Sequence, residues 1–281
     1  TDGMSSVGGL DVLIDWVGKR GKAYSDEAQK WGVPKPKGML LLGMPGCGKT
    51  LVGRAVGNAW GVPVLTMEMG SMMNKYVGES EGRMREALKT ASAIAPCVLF
   101  IDEVDKGVSS GESGDSGTSS RMLQNLLTWM NDDDSGVFVI MTANDPRNLP
   151  QELTRAGRLD ARWYVGFPNA EEREQILMIH LKKARVDSDV YETSSIEELV
   201  EKMNGFSGSE IEQCVKNAMY DCFDDGPRPV GKADLLFAAH GVYPMSAELG
   251  ERLKAVEKWA KKNARMASTP SSVSRSRRRA V

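Results

Sequence analysis

A chain of 281 residues with a formal net charge of −2 can bury one medium domain and one small one, and it lacks the basic excess of a general nucleic-acid binder. Its four cysteines (Cys47, Cys97, Cys214, Cys222) make no C-x-x-C pair and only two histidines are present, so reduced thiols in a cytosol-like compartment are expected rather than a zinc site. No stretch approaches the ~20 apolar residues that cross a bilayer, no secretory leader is recognisable, and Thr1 stands first where a complete chain has Met, as in a fragment of something longer.

Residues 1–37 read as an N-terminal linker. An apolar run over 38–43 predicts a buried strand, and it leads directly into Gly43-Met44-Pro45-Gly46-Cys47-Gly48-Lys49-Thr50. This is G-x-x-x-x-G-K-T in the strand–loop–helix setting a phosphate-binding loop requires, because 51–60 reads as a helix. The glycines let main-chain N–H groups turn inward around phosphate at a helix N-terminus. The Lys49 ammonium is expected to reach the β- and γ-phosphates of ATP, and the Thr50 hydroxyl to ligate Mg²⁺. Cys47 at a helix N-terminus could have a lowered thiol pKa and oxidant sensitivity, or could simply be a small filler.

A second strand is predicted over 63–69. Lys75-Tyr76-Val77-Gly78 follows, an aromatic next to an aliphatic and a glycine. Tyr76 is either an ordinary residue tucked under a helix or a bulky wedge on a mobile hinge. An amphipathic segment over 82–93 precedes the third strand, 97–102, which ends in Asp102-Glu103. Two acids at the C-terminal edge of a parallel sheet lie where nucleotide binds. Asp102 is expected to hold Mg²⁺ and Glu103 to orient and deprotonate the attacking water. The Gly/Ser/acid stretch 107–120 predicts a flexible loop.

The fourth strand, 137–142, ends in Thr142-Ala143-Asn144-Asp145. Asn144 is either a turn former ahead of Asp-Pro or a donor to the same water and γ-phosphate. Arg155 and Arg158 are either surface residues or fingers reaching a neighbouring subunit's ATP. A fifth strand is predicted over 163–167. Alternation of strands with amphipathic segments gives an α/β fold, a parallel sheet flanked by helices over 38–168. Capping-box spacings at Asn169/Glu172, Ser195/Glu198 and Ser207/Glu210 then predict an all-helical domain over 169–264. The Ser- and Arg-rich stretch 265–281 reads as a disordered basic tail.

Taken in order, these motifs resemble the AAA ATPases over about residues 7–264. Val7-Gly8-Gly9 precedes the domain, Asn144 matches the family's first sensor, and Gly205-Phe206-Ser207-Gly208-Ser209-Glu210 is similar to the signature in its helical lid. The resemblance implies that Gly8, Pro45, Gly46, Cys47, Gly48, Lys49, Thr50 and Leu51, together with His180, Gly208 and Ser209, hold the nucleotide. It further implies Glu103, Asn144, Arg155 and Arg158 as catalytic groups, Thr50 and Asp102 on the metal, and Tyr76 with Val77 in a substrate pore. A buried structural role for His180, in mid-helix, stays open beside the ligand role.

Within the family, residues 20–38, 114–121 and 211–220 are similar to the cyanobacterial and plastid group called hypothetical chloroplast frame forty-six. Met44 and Cys47 stand where many relatives have Pro and Thr. Asn131-Asp132-Asp133-Asp134 replaces an inter-subunit signalling element of many hexameric relatives. The implied function is a Mg²⁺-dependent ATPase, working as a homo-hexamer in the cytoplasm or plastid stroma and remodelling or threading a protein client. A nucleic-acid translocase or loader is the rival, disfavoured by the acidic charge. A nucleotide-switched scaffold is another, disfavoured by the water-activating carboxylate.

Overall fold

The computed structural model describes residues 3–69, 77–106, 116–149, 153 and 159–270. Helices α1 (Asp11–Gly21) and α2 (Asp26–Lys30) precede strand β1 (Gly38–Leu42). There follow α3 (Lys49–Trp60), β2 (Val64–Glu68), α4 (Val77–Ala93), β3 (Cys97–Asp102), α5 (Ser116–Asp132), β4 (Val137–Ala143) and β5 (Ala161–Tyr164). Helices α6 (Ala170–Leu181), α7 (Thr193–Lys202), α8 (Gly208–Asp224), α9 (Lys232–His240) and α10 (Met245–Asn263) complete the chain with a short strand, β6 (Arg265–Met266).

The strands pair in parallel in the order β2-β3-β4-β1-β5-β6. Strand β1 is buried along its whole length, as a central strand covered on both faces must be. Its side chains alternate between two cores. Leu40 and Leu42 join Met84 and Leu88 of α4 and Met122 and Leu126 of α5. Met39 and Leu41 join Leu13 and Val17 of α1 and Val52 and Val56 of α3. Truncating one of these leucines to alanine is expected to cost ~2–5 kcal/mol.

A separate apolar cluster holds α6–α9 together as a lid, with Leu177, Leu199, Phe206 and Ile211 fully buried. The capping boxes at Asn169/Glu172 and Ser207/Glu210 both form. The expected box at Ser195 does not. Helix α7 starts three residues earlier, at Thr193, with Glu192 rather than Ser195 at its N-cap. That setting turns Ile196, Leu199 and Val200 into the lid core and buries Ser195 within the first turn.

Residues 265–270, expected in a disordered tail, are instead ordered. The N-terminal part of α10 follows the lid, but Val256 and Ala260 pack into the sheet's core. The chain then adds β6 beside β5, Trp163 opposite Arg265 and Tyr164 opposite Met266. Thr269 N–H donates to Asp11 Oδ1 at 2.8 Å. These contacts hold the last described residues in place, and the arginines of 275–279 lie outside the described residues. Among those residues, no helix is long and apolar enough to cross a membrane.

Candidate active site

Parallel register puts the C-terminal ends of β3, β4 and β1 side by side. Leu42 of β1 lies opposite Ala143 of β4, and Ile101 of β3 opposite Met141. The residues that follow each strand must then converge. Gly43 N–H donates to Ala143 O at 3.1 Å, which seats the start of the phosphate loop against the end of β4. Gly48 caps α3 at φ 92°, a left-handed conformation that glycine adopts without strain. At Gly46 (φ 76°) a Cβ would fall 2.3 Å from the Ser209 hydroxyl. The lid's α8 N-terminus sits that close to the loop, with Ser209 N–H donating to Gly46 O at 3.1 Å.

Lys49 is buried in the centre of the site. Its ammonium donates to Gly43 O at 2.6 Å, Met44 O at 2.9 Å and Asn144 Oδ1 at 2.9 Å. Burial holds its pKa below the ordinary lysine value, while the acidic groups of Cys47, Asp102, Asp105 and Glu103 pull the other way. A cation so compensated suits a neighbouring anion. Burial pushes the Cys47 thiol up to about 12, with Lys49 opposing. The oxidant-sensitive reading of Cys47 therefore loses its basis, since a reactive cysteine needs a lowered pKa.

Thr50 Oγ1 lies 3.5 Å from Asp102 Oδ2. The other carboxylate oxygen, Oδ1, accepts a short hydrogen bond from the Thr142 hydroxyl. An exposed hydroxyl and a pinned carboxylate are the hard oxygen donors that Mg²⁺ takes alongside phosphate oxygens and water. Glu103 has φ 54°, rare for a residue with a side chain and typical of strain kept at functional sites. Its N–H donates to Thr142 Oγ1 at 2.9 Å. Its carboxylate accepts from Asn144 Nδ2 at 3.2 Å on Oε1 and pairs with Lys106 at 2.6 Å on Oε2.

The Asn144 amide is thus held between Lys49 and Glu103. Asp105 fixes the turn that carries it, accepting the N–H groups of Asn144 and Asp145 at 3.0 and 2.9 Å. Asp145 binds Arg147 through two side-chain bonds at 2.9 and 2.6 Å, which, above all, hold its carboxyl below the usual carboxylate range. It also meets Arg252 of α10 at 3.6 Å. Thr142, Asp105 and Lys106 were not singled out in the sequence. The repeat Asp102-Glu103-Val104-Asp105 could have flagged Asp105, whereas Thr142 is legible only from the β3–β4 register.

A cavity of about 510 Å³ opens over these groups. It brings together Gly8, Pro45, Gly46, Cys47, Gly48, Lys49, Thr50 and Leu51 with Asp102, Glu103, Asn144, His180, Gly208 and Ser209. Ile176 lines it beside Gly8 and His180. A Cβ on Gly8 would meet Ile176 Cγ1 at 2.6 Å. The segment is tied down by Glu172, which accepts from Leu10 N–H at 3.1 Å and from the Ser268 hydroxyl. Burial lowers the His180 pKa, opposed by Glu212 and aided by Lys183 and Lys216, so a neutral imidazole borders the cavity at pH 7. Tyr76, Arg155, Arg158 and the side chain of Val77 lie outside the described residues.

The model of the ATPase family associated with various cellular activities (AAA) matches residues 39–167, and that of the AAA+ lid domain matches residues 194–236. The uncharacterized AAA domain-containing protein ycf46 of Gracilaria tenuistipitata var. liui is 41% identical over 256 residues, covering 91% of this chain and 52% of that protein. Its counterpart in Pyropia yezoensis is 39% identical over 255 residues, covering 90% and 51%. The chain spans about half the length of these curated relatives. Among solved structures, the FIGL-1 AAA domain in complex with ADP superimposes with a TM-score of 0.74 at 26% identity, covering 94% of this chain and 91% of that one.

Proposed function

The chain belongs to the AAA ATPase family and is similar to its ycf46 proteins, and we propose that it hydrolyses ATP with Mg²⁺ as part of a homo-hexameric ring that remodels or threads a protein client. The observation that carries the reading is the meeting of Lys49, Asn144, Glu103 and the Thr50–Asp102 pair at one cavity. The loop's main-chain N–H groups and the Lys49 ammonium bind the phosphates. Thr50 and Asp102 hold Mg²⁺, which when bound neutralises charge on the phosphate oxygens.

Glu103 takes the proton from the attacking water, and Asn144 orients the Glu103 carboxylate through the bond to Oε1. Gly8, His180, Gly208 and Ser209 enclose the base and ribose end. Arg155 and Arg158 complete the site from the neighbouring subunit, and Tyr76 with Val77 grips polypeptide. Cytoplasm or plastid stroma is the compartment this reading assigns.

The nucleotide reading is tested by titrating labelled ATP onto the purified chain and onto Lys49→Ala. Saturable binding that Lys49→Ala abolishes supports the site. Equal affinity in both proteins contradicts it.

A further inference from the structure

The β3–β4 ladder ends with Ile101 opposite Met141, and beyond it the two chains are joined by a clasp centred on Thr142. Thr142 O accepts from Val104 N–H at 2.9 Å. Its hydroxyl oxygen accepts from Glu103 N–H at 2.9 Å, and the hydroxyl donates a short bond to Asp102 Oδ1. One residue of β4 therefore holds three consecutive residues at the end of β3. Asp105 closes the clasp from the other side, accepting the N–H groups of Asn144 and Asp145.

Packing alone does not ask for this hydroxyl. Strand β4 reads Val-Phe-Val-Ile-Met-Thr-Ala and is buried throughout, so Thr142 carries its one polar side chain. A buried hydroxyl costs free energy unless it is hydrogen-bonded, and a threonine has one proton to give and lone pairs to receive. The Glu103 N–H can only donate, so it takes a lone pair and leaves the proton for a carboxylate oxygen. The direction of the bonds is thereby fixed, from the Glu103 main chain through the hydroxyl to Asp102. Tying down Oδ1 turns the other oxygen, Oδ2, to the Thr50 side, 3.5 Å from Thr50 Oγ1. The bond to Glu103 N–H also supports a backbone at φ 54°, a conformation that persists only where its surroundings hold it.

We propose that Thr142 is a positioning residue for both acids, setting which Asp102 oxygen serves Mg²⁺ and holding Glu103 in its strained conformation. Thr142 does not line the cavity, so it acts through Asp102 and Glu103 alone. This rests on the ATPase reading above and assigns that site a residue remote from the nucleotide.

The test compares Thr142→Val, which keeps the volume and removes the hydroxyl, with Thr142→Ser, which keeps the hydroxyl and removes a methyl. Binding of a fluorescent non-hydrolysable ATP analogue is followed in EDTA and across a Mg²⁺ series, beside kcat and melting temperature. Thr142→Val is expected to keep its affinity in EDTA, to need about 10–100-fold more Mg²⁺ for the half-maximal effect on binding, and to lose kcat by a similar factor, the scale for removing a hydrogen bond that orients a metal ligand. Thr142→Ser is expected to stay close to wild type in Mg²⁺ requirement and kcat, although its cavity lowers the melting temperature. Thr142→Ala takes the place of valine if Thr142→Val gives no cooperative melting transition. Wild-type Mg²⁺ dependence without the hydroxyl, or equal losses in Thr142→Ser, overturns the assignment and leaves the ATPase reading standing. A wild-type chain that binds no analogue, or binds it with no response to Mg²⁺, overturns that reading and the role of Thr142 with it.

Discussion

The side-chain amide of Asn144 donates to Glu103 Oε1 at 3.2 Å, while its oxygen accepts from Lys49. One residue thereby faces both the cation that binds phosphate and the carboxylate that acts on water. Asn144→Ala is expected to lower kcat by about 10²-fold, the scale of removing one positioned donor, with a smaller change in KM. Asn144→Asp is expected to fall further, because it sets a second carboxylate against Glu103. Steady-state kinetics that separate kcat from KM check both. A change in KM alone would leave Asn144 a binding residue.

Arg155 and Arg158 are proposed to act in a neighbour's site, so activity is expected to depend on protein concentration. Arg155→Ala and Glu103→Gln subunits, each inactive alone, are expected to regain part of the activity on mixing. The arginine of a Glu103→Gln subunit then serves an Arg155→Ala subunit with an intact Glu103. Phosphate release from the mixture is the measurement, and no recovery at any ratio counts against action in trans.

Tyr76 separates a threading machine from its rivals. Tyr76→Ala is expected to keep basal ATP hydrolysis and melting temperature while losing client-stimulated hydrolysis. A buried aromatic behaves otherwise, since its truncation costs ~3–5 kcal/mol and lowers stability and basal rate together. A nucleic-acid motor would be stimulated by DNA or RNA, with a steep loss in salt. Melting temperature, basal rate and stimulated rate in one preparation distinguish the three.

Strands β1, β3 and β4 were legible because strands covered on both faces read as apolar runs, as residues 97–102 do. Strand β2 was legible although two of its five residues are exposed, and β5 spans Ala161–Tyr164 rather than the expected 163–167. Strand β6 was not legible. It has two exposed residues, Arg265 and Met266, and exists only through its pairing with β5. The phosphate loop and Asp102-Glu103 were legible because their chemistry is local in sequence. Thr142 and Asp105 were not, since their hydrogen bonds to residues about forty positions away arise from strand register. Ser195 shows the limit of local signals. It has capping-box spacing, but burying Ile196, Leu199 and Val200 together sets the start of α7 at Thr193.

The central claim is that this site hydrolyses ATP with Glu103 as the base. The most direct measurement is turnover by Glu103→Gln beside its ATP affinity, in one preparation. The account predicts affinity near that of wild type and turnover lower by ~10²–10⁴-fold, the usual contribution of a positioned general base. Wild-type turnover in Glu103→Gln would contradict it and remove Glu103 from the chemistry.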